Sequence, residues 1–407
     1  MQLFALKHTS FVERISTPTL GANSMKASTH RILSTHVGSL PRPKPLLDQM
    51  RNTLDGRGDE LDYADALREA VVDCVRQQVA HGIDVVTDGE QSKTGFSRYI
   101  SERLEGFEMR PRPAGAGFAP EVADFPEYYE QYFRRAMYGG AVAQATALEC
   151  VGPVAYVGQA QIARDVANLK EATRGSEVDE VFMPAVAPSA VGRNTYYESD
   201  EEYYFAVADA LHVEYQAIVD ARFVLQVDDP FLSELFSYSE LPRDECRERA
   251  DLYVAALNRA LSGIPPDKVR YHTCYGINEG PRTHDAPLSE LLPLILKINA
   301  GAYSFEAANA RHEHEYHVWE RAKLPADKLL IPGVVTHSCA IVEHPELVAE
   351  RITRFARIVG RERVLAGADC GFSSQATYNP EIHPRIVWAK FEALAEGARL
   401  ASQTLWA

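Results

Sequence analysis

His272-Thr273-Cys274 closes an apolar and aromatic run that begins at Val269, just before Gly276. On an extended strand alternate side chains share a face, so His272 and Cys274 point the same way. An imidazole and a thiol so spaced at a strand end can grip one metal ion. Alone, the pair reads at least as readily as ordinary core. Further ligands would have to arrive from other strand ends.

Such ends recur along the chain. Apolar runs fall at Arg31–Pro41, Ile83–Glu90, Val181–Pro188, Phe223–Pro230, Val269–Gly276, Ala302–Glu306, Leu329–Val335 and Val364–Gly371. Between them, helical spacing of apolar residues predicts helices at about Tyr63–Ala80, Ile162–Thr173, Glu201–Ala221, Arg247–Leu261, Leu288–Ala300 and Pro345–Val359. Strands alternating with helices imply a parallel sheet. Eight such units predict an α/β fold of the (β/α)8 TIM-barrel type. An open doubly wound sheet is the alternative, disfavoured because no Gly-x-Gly-x-x-Gly follows the first strand. Residues 1–30 read as a loosely ordered arm without a convincing secretory signal, and 31–407 as one domain. A Pro-, Gly- and Tyr-rich stretch at about 107–153, after the second strand, reads as a long insertion crossing the mouth of the fold or decorating its surface.

Composition narrows the class. The formal charge of −15 argues against nucleic acid as a partner. No apolar run approaches the ~20 residues that span a bilayer, so no membrane partner is expected. Six scattered cysteines, without the dense spacing of a disulfide scaffold, suit a reducing cytoplasm.

Taken strand by strand, the C-terminal ends carry Ser39, Glu90, Ser189, Asp228, His272 with Cys274, Glu306, His337 and Cys370. In a barrel all of these face one mouth, where such folds place their chemistry. Zinc takes thiolate, imidazole and carboxylate ligands in fourfold geometry, and Cys274, Cys370, His272 and Glu306 offer that mixture. Two thiolates favour a borderline metal over magnesium or calcium. The electron-rich zinc that results is a poor Lewis acid for hydrolysis and better suited to holding a thiol as a nucleophilic thiolate. Glu306, the hard oxygen ligand, is then the one to yield to an incoming sulfur. Read singly, each residue has a plainer role: Cys370 a buried thiol, Glu306 a partner for Arg311, His337 a helix cap. A zinc hydrolase and a structural zinc protein also stay open. The first is disfavoured by the thiolates, the second by ligands spread over about a hundred residues.

Six motifs then carry a resemblance: His-Val-Gly-Ser-Leu-Pro-Arg at 36–42, Asp-Gly-Glu at 88–90, Gln-Val-Asp-Asp-Pro at 226–230, His-Thr-Cys-Tyr at 272–275, Ser-Phe-Glu at 304–306 and Asp-Cys-Gly at 369–371. In this order they resemble the catalytic C-terminal barrel of the cobalamin-independent methionine synthase family, and more closely its short single-barrel relatives. The resemblance implies Zn²⁺ at His272, Cys274, Glu306 and Cys370. It implies that Ser39, Glu90 and Asp228 hold the amino-acid end of homocysteine, and that His337 protonates the leaving group. The activity it implies is thiol S-methylation, with a small-molecule thiol and an alkyl donor as partners. Two departures bear on the donor: a second N-terminal barrel has no counterpart here, and the loop Ile277–Pro287 is longer. Methyl-folate and a methylated corrinoid protein both stay open as donors. So does an epoxyalkane:coenzyme M-type alkyl transfer, because those relatives share the metal motif.

Overall fold

The computed structural model of the chain describes residues 24–407 except 97, 113–115, 137–138 and 277–278. Most of the expected arm at 1–30 therefore lies outside the described residues. In chain order the strands are β1 (Val85–Val86), β2 (Leu104–Pro111), β3 (Thr146–Tyr156), β4 (Glu180–Val186), β5 (Arg193–Asn194), β6 (Val224–Asp229), β7 (Val269–Thr273), β8 (Ala302–Phe305), β9 (Leu329–Val335) and β10 (Gly367–Ala368). The helices are α1 (Lys44–Leu54), α2 (Glu60–Ala80), α3 (Ala119–Asp124), α4 (Pro126–Arg135), α5 (Gln159–Ala172), α6 (Asp200–Asp220), α7 (Phe231–Ser237), α8 (Arg243–Ala260), α9 (Leu288–Ile295), α10 (Tyr316–Arg321), α11 (Pro345–Val359) and α12 (Pro384–Leu405).

Seven strands, ordered β1-β4-β6-β7-β8-β9-β10, pair in parallel as one curled sheet with helices packed against it, an α/β architecture resembling a TIM-like barrel. The first expected strand shrinks to a parallel bridge between Ser34 and Ala366. Its backbone nevertheless bonds in both directions. Thr35 N–H donates to Ala366 O at 2.8 Å, and Val85 N–H donates to Ser34 O at 3.0 Å. Beyond it, Gly38 at φ 137° turns the chain away from any longer ladder.

The central strands are covered on both faces, and β4, β6, β7, β8 and β9 are buried almost throughout, with Gln226, Asp228, Arg270 and His272 as buried polar positions on β6 and β7. One small cluster joins Leu33, Val85, Phe182, Val224, Ala302, Ile331 and Leu365, with no side chain from β7. Arg270 crosses this interior, 4.0 Å from the Phe182 ring centre, and donates to Thr35 Oγ1 at 3.0 Å and His36 O at 2.6 Å.

Helices begin where sequence chemistry sets them. Asp59 caps α2 by accepting from Leu61 N and Asp62 N, and Ser199 caps α6 ahead of Asp200, Glu201 and Glu202, whose charges favour the positive helix start. The helix expected from Arg247 begins at Arg243, behind Pro242. The one expected to reach Ala300 stops at Ile295, just past Pro293, which lacks a donor.

The stretch expected at about 107–153 contains β2 and β3, an antiparallel pair whose strands extend past both bounds, with α3 and α4 between them. β5 adds a third strand to this small sheet. Among the described residues, no helix is long and apolar enough to cross a membrane.

Candidate functional site

The C-terminal ends of the main strands converge as alternation demands. His272 is on β7, and Cys274 follows one residue beyond its end. Their ligand atoms and that of Cys370, two residues past β10, lie within 4.8 Å of one another, all buried. The two Sγ atoms are 3.2 Å apart. Gly276 N–H donates to Cys274 Sγ at 3.2 Å. His272 Nδ1 meets Ser304 Oγ, its register partner on β8, at 3.2 Å, which leaves Nε2 buried without a partner among the described residues. Burial, then the nearby Arg270 charge, pushes His272 down to about 3, so the imidazole is neutral and able to ligate.

Glu306 stands beside this triad rather than in it. Its carboxylate lies within 4.8 Å of His337 and Asp369. Asp369 is fully employed: it accepts from the backbone N–H of Ala307, Ala308 and Asn309 at 2.7–2.9 Å and from Asn309 Nδ2 at 3.0 Å. It caps the loop that follows Glu306. Glu306 does not pair with Arg311. Its partner is Arg282, at 2.7 Å, with Asn309 Nδ2 on the same oxygen at 2.7 Å, while Oε1 is buried and orphaned. Burial raises its carboxyl to about 7 against the pull of Arg282. An orphaned imidazole nitrogen, an orphaned carboxylate oxygen and two adjacent sulfurs fit a borderline cation such as zinc.

A cavity of about 160 Å³ opens on this group. His272, Cys274 and Cys370 form one part of its wall, and Ser39, Glu90 and Asp228 another. Burial, followed by the charge of Glu90, lifts the Asp228 carboxyl well above its usual range, and Lys93, 3.6 Å from Glu90 Oε1, opposes this. Two carboxylates forced together in a buried place suit an ammonium group. Gly371 leaves the room that Ser39 needs: a Cβ there would sit 2.0 Å from Ser39 Oγ. Ser189 joins none of this, because its hydroxyl is bonded to Asp229 Oδ1 at 2.8 Å.

His337 is buried, has no hydrogen-bond partner on either ring nitrogen among the described residues, and is driven well below 6.5 by burial, then by the charge of Arg282. It does not line the cavity. Glu234 on α7 does, along with Phe96, Phe118, Phe231 and Arg112. Burial raises the Glu234 carboxyl to about 7. Sequence reasoning passed over Glu234 and Arg282. Glu234 falls one turn after Asp-Asp-Pro, where helical spacing could have flagged it. Arg282 sits in an irregular loop without such a signal.

The loop bearing Arg282 is tied down by charge. Arg282 Nε–H donates to Asp285 Oδ2 at 2.8 Å, the same oxygen meets His312 Nε2 at 3.1 Å, and His312 Nδ1 meets Glu315 at 2.7 Å. Burial pulls the His312 pKa down, but the bonds to Asp285 and Glu315 outweigh it and lift it from 6.5 to about 9. A folded pKa above the unfolded one gives stability that is complete below about 6.5 and lost as pH rises through about 9. His312→Gln is therefore expected to lower the melting midpoint at pH 6, with the gap to wild type narrowing towards pH 10. Thermal unfolding across that range measures it, and a constant gap contradicts it.

With this geometry in view, comparison with known proteins places the chain. The family model described as the catalytic domain of cobalamin-independent synthase matches residues 32–112 and 125–381. The chain belongs to this family. Among curated members, the methionine synthase of Saccharolobus solfataricus is 24% identical over 381 residues, covering 91% of this chain and 95% of that protein. That of Thermococcus kodakarensis is 24% identical over 375 residues, covering 91% and 93%. In fold, the chain is similar to a B12-independent methionine synthase from Shewanella sp. W3-18-1, solved with selenomethionine, at TM-score 0.68 and 19% identity over 92% of this chain and 99% of that one. A putative vitamin-B12-independent methionine synthase from Listeria monocytogenes gives 0.64 at 20% identity, covering 92% and 98%. The family match omits 113–124, the stretch that brings Phe118 to the cavity wall.

Proposed function

We propose that this protein is a zinc-dependent thiol S-methyltransferase that methylates homocysteine to methionine. The observation carrying the reading is the shared cavity, whose wall bears a His/Cys/Cys cluster and, separately, paired carboxylates with Ser39. An amino-acid thiol has the matching chemistry, sulfur at one end and an ammonium at the other. Family membership and curated relatives named methionine synthase support the same choice.

His272, Cys274, Cys370 and Glu306 would hold the zinc, which supplies a thiol held as an anion that still attacks carbon. Glu90 and Asp228 bind the substrate ammonium, while the backbone at Gly38-Ser39 receives its carboxylate. Together they orient the sulfur towards the donor's methyl carbon, so that the two reactants meet in line. His337 would hydrogen-bond the departing group as a neutral N–H donor, and the Glu234 carboxyl on the cavity wall would be the acid that protonates it. The donor is a small molecule such as methyl-folate or a methylated corrinoid protein. A sulfonate-tailed thiol is disfavoured, because it would face two carboxylates.

The fold belongs to the same reading. Leu33–Thr35 takes the place of an eighth strand, making a closed (β/α)8 barrel over 31–407 in one domain, with residues 1–30 as an arm, the stretch at about 107–153 as an insertion, and a cytoplasmic setting.

The deciding experiment incubates zinc-loaded protein with homocysteine and, separately, with a sulfonate thiol. Methyl donors of the folate and corrinoid types are offered, and methylated product is followed by mass. Product from homocysteine supports the reading; product from the sulfonate thiol alone refutes it. Asp228→Asn is expected to raise the homocysteine KM by about 10–100-fold, the worth of a charged hydrogen bond, with a smaller change in kcat. An unchanged KM removes Asp228 from substrate binding.

A further inference from the structure

Glu306 presents its two oxygens to different surroundings. Oε2 is gripped by Arg282 and Asn309, each at 2.7 Å, whereas Oε1 is buried and has no hydrogen-bond partner among the described residues. Arg282 is itself held by Asp285, which His312 holds in turn. The Arg282 backbone lies at φ 57°, a region that residues other than glycine seldom occupy. That conformation persists because the buried ion chain fixes the side chain on Glu306. The same loop touches the segment above the cavity: Thr283 Oγ1 donates to Glu121 at 3.4 Å, and His284 pairs with Asp124 at 2.7 Å.

We propose that Arg282 is a positioning residue for thiol entry: it leaves only Oε1 of Glu306 for the metal and keeps the whole carboxylate once an incoming sulfur takes that place. This rests on the zinc-thiolate reading above. With zinc, the two thiolates and Glu306 carry one net negative charge, which Arg282 balances. In the exchange a metal–oxygen bond breaks, a metal–sulfur bond forms, and the thiol proton passes to solvent. Glu306 is then an unligated buried anion, and such a group is heavily disfavoured without a counter-charge. Loss of Arg282 therefore penalises the thiol-bound state more than the resting one. Asn309 satisfies the oxygen but supplies no charge.

The test compares wild type, Arg282→Met and Arg282→Lys after cobalt substitution, with metal affinity read by chelator competition and homocysteine affinity by the cobalt–sulfur absorption. Arg282→Met is expected to keep metal affinity within about threefold while its homocysteine Kd rises at least about tenfold, with Arg282→Lys between it and wild type. An unchanged homocysteine Kd in Arg282→Met overturns the proposal. So does a loss of metal as large as that of Cys370→Ser, which would make Arg282 mere scaffolding. Should Arg282→Met fail to fold, Arg282→Lys decides, because an unchanged Kd there also overturns it. If homocysteine leaves wild-type absorption unaltered, the zinc-thiolate reading falls and takes this inference with it. If wild type responds and the variants respond identically, the inference alone falls.

Discussion

Cys370→Ser is expected to release the metal. Cys370 is buried and its sulfur lies 3.2 Å from that of Cys274, so the variant replaces a soft, polarisable thiol of the proposed ligand set with a hydroxyl that does not ionise near neutrality. Loss of groups that merely orient ligands costs about 10–100-fold in metal affinity, and loss of a ligand itself should exceed that. Metal content after gel filtration should fall from near stoichiometric to a small fraction, and methyl transfer should fall with it. Full occupancy would show that Cys370 is an ordinary core thiol. The metal-free pair also sets a pH dependence. Its bond to Cys274, then burial, holds the Cys370 thiol well above its usual range. Metal binding must therefore expel protons, and affinity should climb as pH rises. Chelator competition at two pH values measures that slope.

Arg103→Met is expected to destabilise the fold by about 3–5 kcal/mol, the cost of stripping one partner from a buried ion pair. Arg103 stands just ahead of β2 and is buried between Asp165 of α5, at 2.5 Å, and Glu214 of α6, at 3.0 Å. Glu214 also accepts from Tyr156 Oη at 2.7 Å, and Asp165 from Ser92 Oγ at 2.9 Å. The arginine thus fastens the β2–β3 excursion to two helices of the main fold. Its removal leaves Glu214 buried without this counter-ion and Asp165 with only Arg164, 3.3 Å away. Urea unfolding should show the loss as a shifted midpoint. A change under 1 kcal/mol would mean that the site relaxes or admits water. Metal affinity, proposed to reside at the far ends of β7 and β10, should change little in the fraction that remains folded.

The parts of the site legible in the sequence were those that a strand's period fixes. His272 and Cys274 share a face by alternation, and Ser304 meets His272 because adjacent parallel strands keep register. Cys370 and Glu306 follow strand ends and so reach the same rim. Partners reached through irregular backbone were not legible. Local spacing suggested Arg311 for Glu306, whereas Arg282 comes from the preceding loop in a left-handed conformation with no periodic signature. The Arg103 network was missed for the same reason: its three charges belong to separate elements joined by packing alone. The excursion was recognisable as a break in rhythm. Its true edges, β2 and β3, depend on pairing between residues far apart.

The bonds at Leu33–Thr35 also govern how the chain reaches this state. Ser28 Oγ donates to Val364 O, 336 residues along, and Thr35 N–H donates to Ala366 O. These earliest described residues meet their partners only after nearly all of the chain between has been made and arranged. Closing so long a loop is entropically unfavourable, and contacts of such separation form late. Until then β1 and β10 are open edges, each able to pair with another molecule. Yield on refolding should therefore fall with protein concentration, and the last seam to shut is the one nearest the amino terminus.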